Sequence, residues 1–318
     1  MSLDNYYIVD DGKILMKNTT VYFINKERKV DIPIENIYSL YFIGSGSIST
    51  KVLKEFQKRK IIVNFFGKRG DYIGSFYPKE HYISGDLVVR QVKRYLDDKS
   101  RLKFASKFVE GAINNIDWIC RRFNLGEINK PDISSSDTIE SLMQREGLVR
   151  KQFYSLIDER LDDSFKITRR EINPPSNRGN AIISFLNSMV YSTVLSEIYH
   201  THLNPAVSFL HEPFERRFSL SLDVSEIFKP LLSERLLIKM VNLKMLDPIL
   251  DFESNDGVFL SKIGIKKIIK EFDDEIKKSV KGKSNRLFSI RELIRLELYK
   301  IEKDLLDISE YKPLKAWW

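Results

Sequence analysis

The stretch IIVNFFGKRGDYIGSFYPKEHYISGDLVVRQVKRYLDDKSRL, residues 61–102, holds the point at which the chain changes its period. Residues 61–66 are an apolar run of strand length interrupted by Asn64, 67–70 supply a turn, 72–77 form a second run, and Pro78 ends it. From about Ser84 the apolar residues return every three or four positions, the spacing of one helix face. Toward the N-terminus, residues 6–9, 13–15, 20–24 and 37–43 are short β-branched or aromatic runs separated by turn signals such as Asp11-Gly12 and Asn25-Lys26. Gly44-Ser45-Gly46-Ser47 interrupts them, and Ser49 is placed to cap a helix over 50–60 that carries Val52, Leu53 and Phe56 at helical spacing. Toward the C-terminus the spacing predicts helices over 87–97, 101–122, 137–160, 180–200, 220–242, 263–280 and 290–306, with breakers at 126–136, 173–179 and 251–257. The expectation is an α+β fold: a small β-rich N-terminal domain, residues 1–83, followed by a larger all-α C-terminal domain, residues 84–318.

Composition narrows the function classes. With 318 residues, 42% of them hydrophobic, the chain has a globular composition and a length that suits two domains. A single Cys, Cys120, rules out an internal disulfide framework and any multi-cysteine metal site, so a reducing, cytoplasmic setting is expected. The first residues carry no basic segment before an apolar run, and no secretory signal is expected there. The most apolar stretch, 181–195, is interrupted by Ser184, Asn187, Ser188, Ser192 and Thr193, and reads as too short and too polar to span a bilayer. No membrane partner is expected. The net charge of +8 is compatible with a polyanionic partner without requiring one.

Two stretches put charge where apolar residues belong. In the helix over 137–160 the apolar stripe runs Ile139, Leu142, Met143, Val149, Phe153, Leu156 and Ile157, and Glu146 falls on it. Taking an ionised carboxylate out of water costs several kcal/mol unless it is paired or ligated. A cation should therefore meet Glu146, and a salt bridge to a neighbouring helix is the ordinary candidate. Gly147 follows, at a cost of about 1 kcal/mol against Ala, which a close approach of another group at that point would explain. The second stretch, LNPAVSFLHEPFERRFSLSLDVSEIFKPLLS at 203–233, places His211 after an apolar run and Asp223 and Glu226 on one face at a helix start. Two acids there also suit the helix dipole. Pro230 constrains the helix geometry that follows. A His with two or three carboxylates suits Mg²⁺ or Mn²⁺, although spacing alone cannot bring residues 146, 211 and 226 together. His200 and His202, at a helix end, read as surface or capping residues, and His81 in the connector is assigned no role.

Taken in order, Gln144-Arg145-Glu146-Gly147 with Phe153-Tyr154, Gly179-Asn180-Ala181 opening an apolar helix with Tyr191, and LNPAVSFLHE running into LSLDVSEIFKP resemble the CRISPR-associated integrase/endonuclease of spacer acquisition, the Cas-one family. The head segment at 48–76 and the connector at 84–102 are similar to that family too, so the likeness spans about residues 6–300. The Glu-Gly element alone is a weak signal; in order with the His and LDxxE elements it is highly specific.

The resemblance implies a metal-dependent DNA-processing enzyme with a β N-terminal and a helical C-terminal domain. It implies a homodimer, two of which flank a dimer of the Cas-two protein in a heterohexamer that inserts short fragments of double-stranded DNA, the protospacer, into a repeat array. The family's metal ligands fall on Glu146, His211 and Glu226, with Mg²⁺ or Mn²⁺ as the ion. Many relatives carry Asp at the last position, and Glu there adds one methylene, which puts the ligand geometry and the choice of metal in question. Asp223 matches a second acid at the edge of the site. Asn180 and Tyr191 match positions near it, where Asn180 can equally be an N-cap and Tyr191 plain core.

DNA binding should rest on phosphate contacts, which position a duplex without reading its sequence. Lys51, Lys54, Lys58 and Arg59 lie at three- to four-residue spacing on the helix of the head, with Lys68 and Arg69 in a turn nearby. Each also suits a solvated helix face. Arg145, Arg150, Arg178 and Arg217, expected closer to the metal, are the stronger candidates, because a metal-bound phosphate needs cationic neighbours. Two other readings stay open, a non-catalytic DNA-binding scaffold in which Glu146 and Glu226 form buried ion pairs, and a general metal-dependent nuclease that does not join strands.

Overall fold

The computed structural model describes residues 3–79, 82, 84–171, 174–213, 218–254, 256–282 and 285–318. Its first eight strands and one helix precede the long helices, as the change of period predicts: β1 Asp4–Ile8, β2 Gly12–Lys17, β3 Thr20–Ile24, β4 Lys29–Ile32, β5 Ile37–Ile43, β6 Gly46–Ile48, α1 Thr50–Lys58, β7 Ile62–Phe66 and β8 Tyr72–Phe76. They form two four-stranded sheets. One has the order β1-β5-β7-β8, parallel except for the antiparallel β7–β8 pair, and the other the order β4-β3-β2-β6, in which only β2 and β6 run parallel.

Strand β5 explains how this head meets the rest. Successive side chains of a strand point to opposite faces. Leu40 and Phe42 enter the core of the head with Ile14, Val21, Phe23, Val52, Phe56 and Val63, whereas Tyr41 and Ile43 join the core of the helices together with Phe66. Both faces of the strand are buried, which is why apolar and aromatic residues occupy neighbouring positions, with only Ser39 between them, rather than alternating.

The helices that follow are α2 Gly85–Leu96, α3 Asp98–Phe123, α4 Ile139–Asp158, α5 Arg178–Ile198, α6 Ser219–Lys229, α7 Arg235–Asn242, α8 Lys262–Lys277 and α9 Ile290–Leu305. A π-helical turn, Pro230–Glu234, joins α6 to α7, so the single helix expected over 220–242 is continuous but widened in its middle. The helical part is not free of strands. Two short antiparallel hairpins, β9 Phe252–Ser254 with β10 Val258–Leu260 and β11 Ser279–Lys281 with β12 Leu287–Ser289, occupy turns between helices.

Helix α5 is the axis of the body. It is buried over nearly its whole length and packs against α6 and α9, which its apolar circumference requires. It spans 178–198 where 180–200 is expected, and by length and composition it could cross a bilayer, whereas the apolar stretch 181–195 within it reads as too short and too polar. Most of it lies inside the protein.

Candidate functional site

Helix α4 starts at a reciprocal cap: the Thr138 side chain accepts from the Ser141 backbone N–H, and the Ser141 side chain accepts from that of Thr138. This sets the helix so that Leu142, Val149, Phe153 and Ile157 are buried and Glu146 lies on their line. Met143, counted in the stripe from sequence, is exposed. A Cβ on Gly147 would meet nothing within 4 Å, so no protein group crowds it and the expected close approach is absent among the described residues.

The cation that meets Glu146 comes from its own helix. Arg150, one turn on, donates from Nε to Glu146 Oε1 and from Nη2 to Glu226 Oε2 of α6. Its Nη1 lies 3.4 Å from Oε1 of Glu234, in the π-helical turn. Lys229 donates to the other oxygen of Glu226, and the Tyr154 hydroxyl donates to Glu234 Oε1 at 3.0 Å. Three carboxylates thus face two cations, which leaves an excess of one negative charge. Glu226 shows the field they create: burial pushes its carboxyl up, but Lys229, Arg150 and His211 together hold it down at about 2. For Arg150, burial opposes the charge and the three glutamates override it, raising the guanidinium well above its usual range.

His211 approaches from the loop before α6, and Asp223 holds it there. Asp223 is fully buried, and its two oxygens accept from the backbone N–H groups of Phe209 at 2.6 Å, Leu210 at 3.0 Å and His211 at 3.0 Å. The same carboxylate meets His211 Nδ1 at 2.8 Å. With Nδ1–H donating to Asp223, Nε2 is the nitrogen with a free lone pair, the arrangement that orients a metal-binding imidazole. Burial lowers the His211 pKa, while Asp223 and Glu226 raise it by more, so the net shift is upward. The structure therefore gives Asp223 to the His loop, where its oxygens are already occupied, and gives Glu226 to the cluster.

This donor set fits a hard divalent cation. Two carboxylates from different helices already share one cationic partner, and an imidazole nitrogen is kept available beside them. Among the described residues no three His, Cys, Asp or Glu side chains are disposed about a common metal position, and Arg150 and Lys229 occupy the oxygens of Glu226.

The remaining candidates divide. Arg145 donates to the Asp132 carbonyl at 2.8 Å, and Arg178 to the Pro248 carbonyl at 2.7 Å, so both tie loops to helices. Asn180 is not the N-cap of α5: Asn177 is, accepting from the Asn180 N–H at 2.8 Å. Tyr191 packs edge-on to Tyr72 of the head, with ring centroids 5.0 Å apart. On α1, Lys51 and Lys54 are exposed, whereas Lys58 pairs with Glu55 and Arg59 with Glu35 and Glu55. Lys68 pairs with Asp11, and Arg69 lies over the Phe259 ring. Arg217 and His81 lie outside the described residues.

Sequence reasoning passed over Glu234 and Arg170, and quoted Tyr154 only within the family-like element, with no role of its own. Asn180 and Asp158 build the turn that presents Arg170. Asp158 accepts from the N–H groups of Ile167 and Thr168, both at 2.7 Å, and the Asn180 amide takes the Arg169 carbonyl at 2.8 Å. Thr168 is held at φ 54°, a strained backbone for a β-branched residue that persists only when its surroundings fix it. The Arg170 guanidinium donates to the Glu171 carbonyl, Asn180 Oδ1 and Ser184 Oγ, and has no carboxylate partner among the described residues. Its field reaches Tyr154, whose hydroxyl burial and Glu234 push up and Arg150 and Arg170 draw down.

A strand-rich N-terminal region followed by a mostly helical one, with a His and carboxylates gathered about α4 and α6, defines the class of protein to which the comparisons point. The family described as CRISPR associated protein Cas1 matches residues 6–274, and the chain belongs to that family. It is 42% identical over 319 residues to a CRISPR-associated endonuclease Cas1 of Methanocaldococcus jannaschii, covering 98% of each chain. Among solved structures, a CAS1 protein from Thermotoga maritima superposes with a TM-score of 0.89 at 31% identity, over 98% of this chain and 100% of that one. A casposase bound to integration product shares the fold, with a TM-score of 0.86 at 16% identity over 98% of this chain and 93% of that one.

Proposed function

We propose that this chain is a metal-dependent DNA endonuclease and integrase that inserts short DNA fragments into a CRISPR array. The observation that carries the reading is the meeting of Glu146 and Glu226, from two helices, on one buried cation beside an imidazole whose Nδ1 is already committed to Asp223. The endonuclease naming of the relative and the integration product held by the structural neighbour support it.

Glu146, Glu226 and His211 Nε2 would hold Mg²⁺ or Mn²⁺. When bound there, the ion polarises phosphoryl oxygens and offsets charge in the transition state. The chain's own groups do the rest. Asp223 fixes the imidazole and its tautomer, and the upward shift of His211 lets an imidazole not engaged as a ligand keep a proton to deliver to the departing oxygen. The 3′-oxygen of the incoming strand forms one bond to phosphorus as the target's own 3′-oxygen leaves, so phosphodiesters are exchanged and no nucleotide cofactor is consumed. Arg170, which has no carboxylate partner among the described residues, and the exposed Lys51 and Lys54 are the cations best placed for phosphates. The working assembly is a homodimer on double-stranded DNA, joined with a Cas-two dimer in a heterohexamer in the cytoplasm.

The ion pairs of Arg150 favour one competing reading, a non-catalytic scaffold. A single assay separates them. With supercoiled plasmid, a short duplex bearing free 3′-hydroxyls and Mn²⁺, an integrase yields covalently joined product that chelator abolishes. A scaffold only retards the DNA, with or without chelator, and a general nuclease cleaves independently of the free 3′ end.

A further inference from the structure

Arg150 occupies the oxygens that a divalent cation would need, and its charge cannot be removed by deprotonation. A cation arriving at Glu146 and Glu226 would repel the guanidinium and take both of its closest partners. A buried guanidinium left without an anion is too costly to persist, so a second carboxylate must receive it. Glu234 has the properties of that receiver. It is 0% exposed, its Oε1 already lies 3.4 Å from Arg150 Nη1, and its Oε2 is buried with no hydrogen-bond partner among the described residues. An unmatched buried carboxylate oxygen is rare in a folded protein and calls for a reason. Tyr154 anchors Oε1 at 3.0 Å, and with Oε2 unengaged among the described residues the carboxylate has the capacity to accept from a planar, two-pronged donor. The π-helical turn after Pro230 carries Glu234, and such turns recur at functional sites.

We infer that Glu234 is the parking carboxylate for Arg150, taking the guanidinium in a two-pronged pair when Glu146 and Glu226 receive a divalent cation. Arg150 is then a placeholder that keeps the empty acids together, and Glu234 a positioning residue that acts through it. The exchange also reverses the local charge. Three carboxylates facing Arg150 and Lys229 carry one net negative charge, and addition of a divalent ion makes that one net positive, which suits a phosphodiester.

The inference rests on the metal reading above, and the test keeps the two apart. Mn²⁺ affinity is measured on the full chain without DNA, by calorimetry or by loss of the free-Mn²⁺ EPR signal, with unfolding in chelator followed in parallel. Glu234→Gln keeps the shape of the side chain and removes its charge, so Arg150 stays on Glu146 and Glu226 and apparent affinity falls about tenfold, the population cost of an occupied site. Glu234→Asp, which keeps the charge, retains more affinity than Glu234→Gln. Arg150→Gln binds Mn²⁺ at least as tightly as the unaltered chain, and adding Glu234→Gln to it changes nothing further. Equal binding by Glu234→Gln and the unaltered chain, a Glu234→Asp weaker than Glu234→Gln, a weakened Arg150→Gln, or a Glu234→Gln effect that persists without Arg150 would each overturn the inference. If Arg150→Gln does not fold, the order of the Gln and Asp variants decides alone. An unaltered chain that binds no Mn²⁺ would instead sink the metal reading.

Discussion

Two buried clusters in this protein are built from the same three side chains, and only one of them is closed. At the junction of head and body, Glu197 of α5 accepts from the Tyr38 hydroxyl at 2.7 Å and from Arg295 Nε at 2.8 Å, while Arg295 also donates to Tyr38. Each oxygen has its donor, and Arg291 lies over the Tyr38 ring at 4.1 Å. The second cluster has Glu234, Arg150 and Tyr154, but there the guanidinium is shared among three carboxylates and Glu234 keeps an oxygen that has no partner among the described residues. Burial is similar in the two places, and the balance of charge is not. One acid against one guanidinium gives a rivet across β5, α5 and α9. Three acids that share a guanidinium and a lysine give a site with an unmet demand for positive charge.

The comparison breaks first at the open cluster. Glu146→Ala is expected to bring strand joining below detection, and His211→Ala to lower it about 10²- to 10⁴-fold. Both should keep most of their duplex affinity in a gel-shift, because the phosphate contacts are spread over the surface. Both variants joining at the unaltered rate would show that the cluster is merely a second rivet. The closed cluster should answer through stability instead. Glu197→Ala leaves Arg295 without its buried anion and is expected to cost about 3 kcal/mol, toward the lower end for a broken buried pair because the arginine is partly exposed. Urea unfolding measures that loss, and joining per folded molecule should not change. A Glu197→Ala chain that unfolds normally and joins poorly would mean that the junction works in the chemistry.

Asp223 lies between the two cases, since it is saturated like Glu197 yet holds a residue of the open cluster. Its replacement by Ala should lower Mn²⁺ affinity and joining by about 10- to 100-fold, the usual cost of losing the partner that orients a ligand. Glu226→Ala should cost more. The reverse order, read from initial joining rates, would make Asp223 the ligand and Glu226 its support.

How far each cluster can be read from sequence follows from the same contrast. Glu146 is legible because α4 is regular: Leu142, Val149 and Phe153 define a face, and one acid stands on it. The β5 run is legible as a strand, but its burial on both faces is seen only in the structure. Glu234 is hidden because Pro230 and the π-helical turn break the 3.6-residue period between it and Glu226, so no face can be projected through that point. Asp223 shows its spacing to Glu226 but not its occupation, which depends on backbone N–H groups of a loop. The three-residue strands β6 and β9 to β12 are too short to show alternation, and in the sheet of the head β6 replaces what reads as a Gly-Ser break.

The smallest effect separates the clusters by sign. Burial raises the Glu197 carboxyl above its ordinary value of 4.5 by more than Arg295 and Tyr38 lower it. The stability that its bound proton adds is therefore complete below 4.5 and is lost as pH rises through the raised value, above which the pairing with Arg295 remains. Glu226 is held at about 2, so its contribution is complete above its ordinary 4.5 and is lost as pH falls toward 2. Each proton is worth at most about 1.4 kcal/mol per pH unit. Urea unfolding in chelator between pH 2 and pH 7 should show Glu226→Gln flattening the acid limb and Glu197→Gln flattening the limb that declines with rising pH. Two variants that flatten the same limb would place both carboxylates in one electrostatic class, and the shared guanidinium and the lysine would then no longer explain why one cluster is open and the other closed.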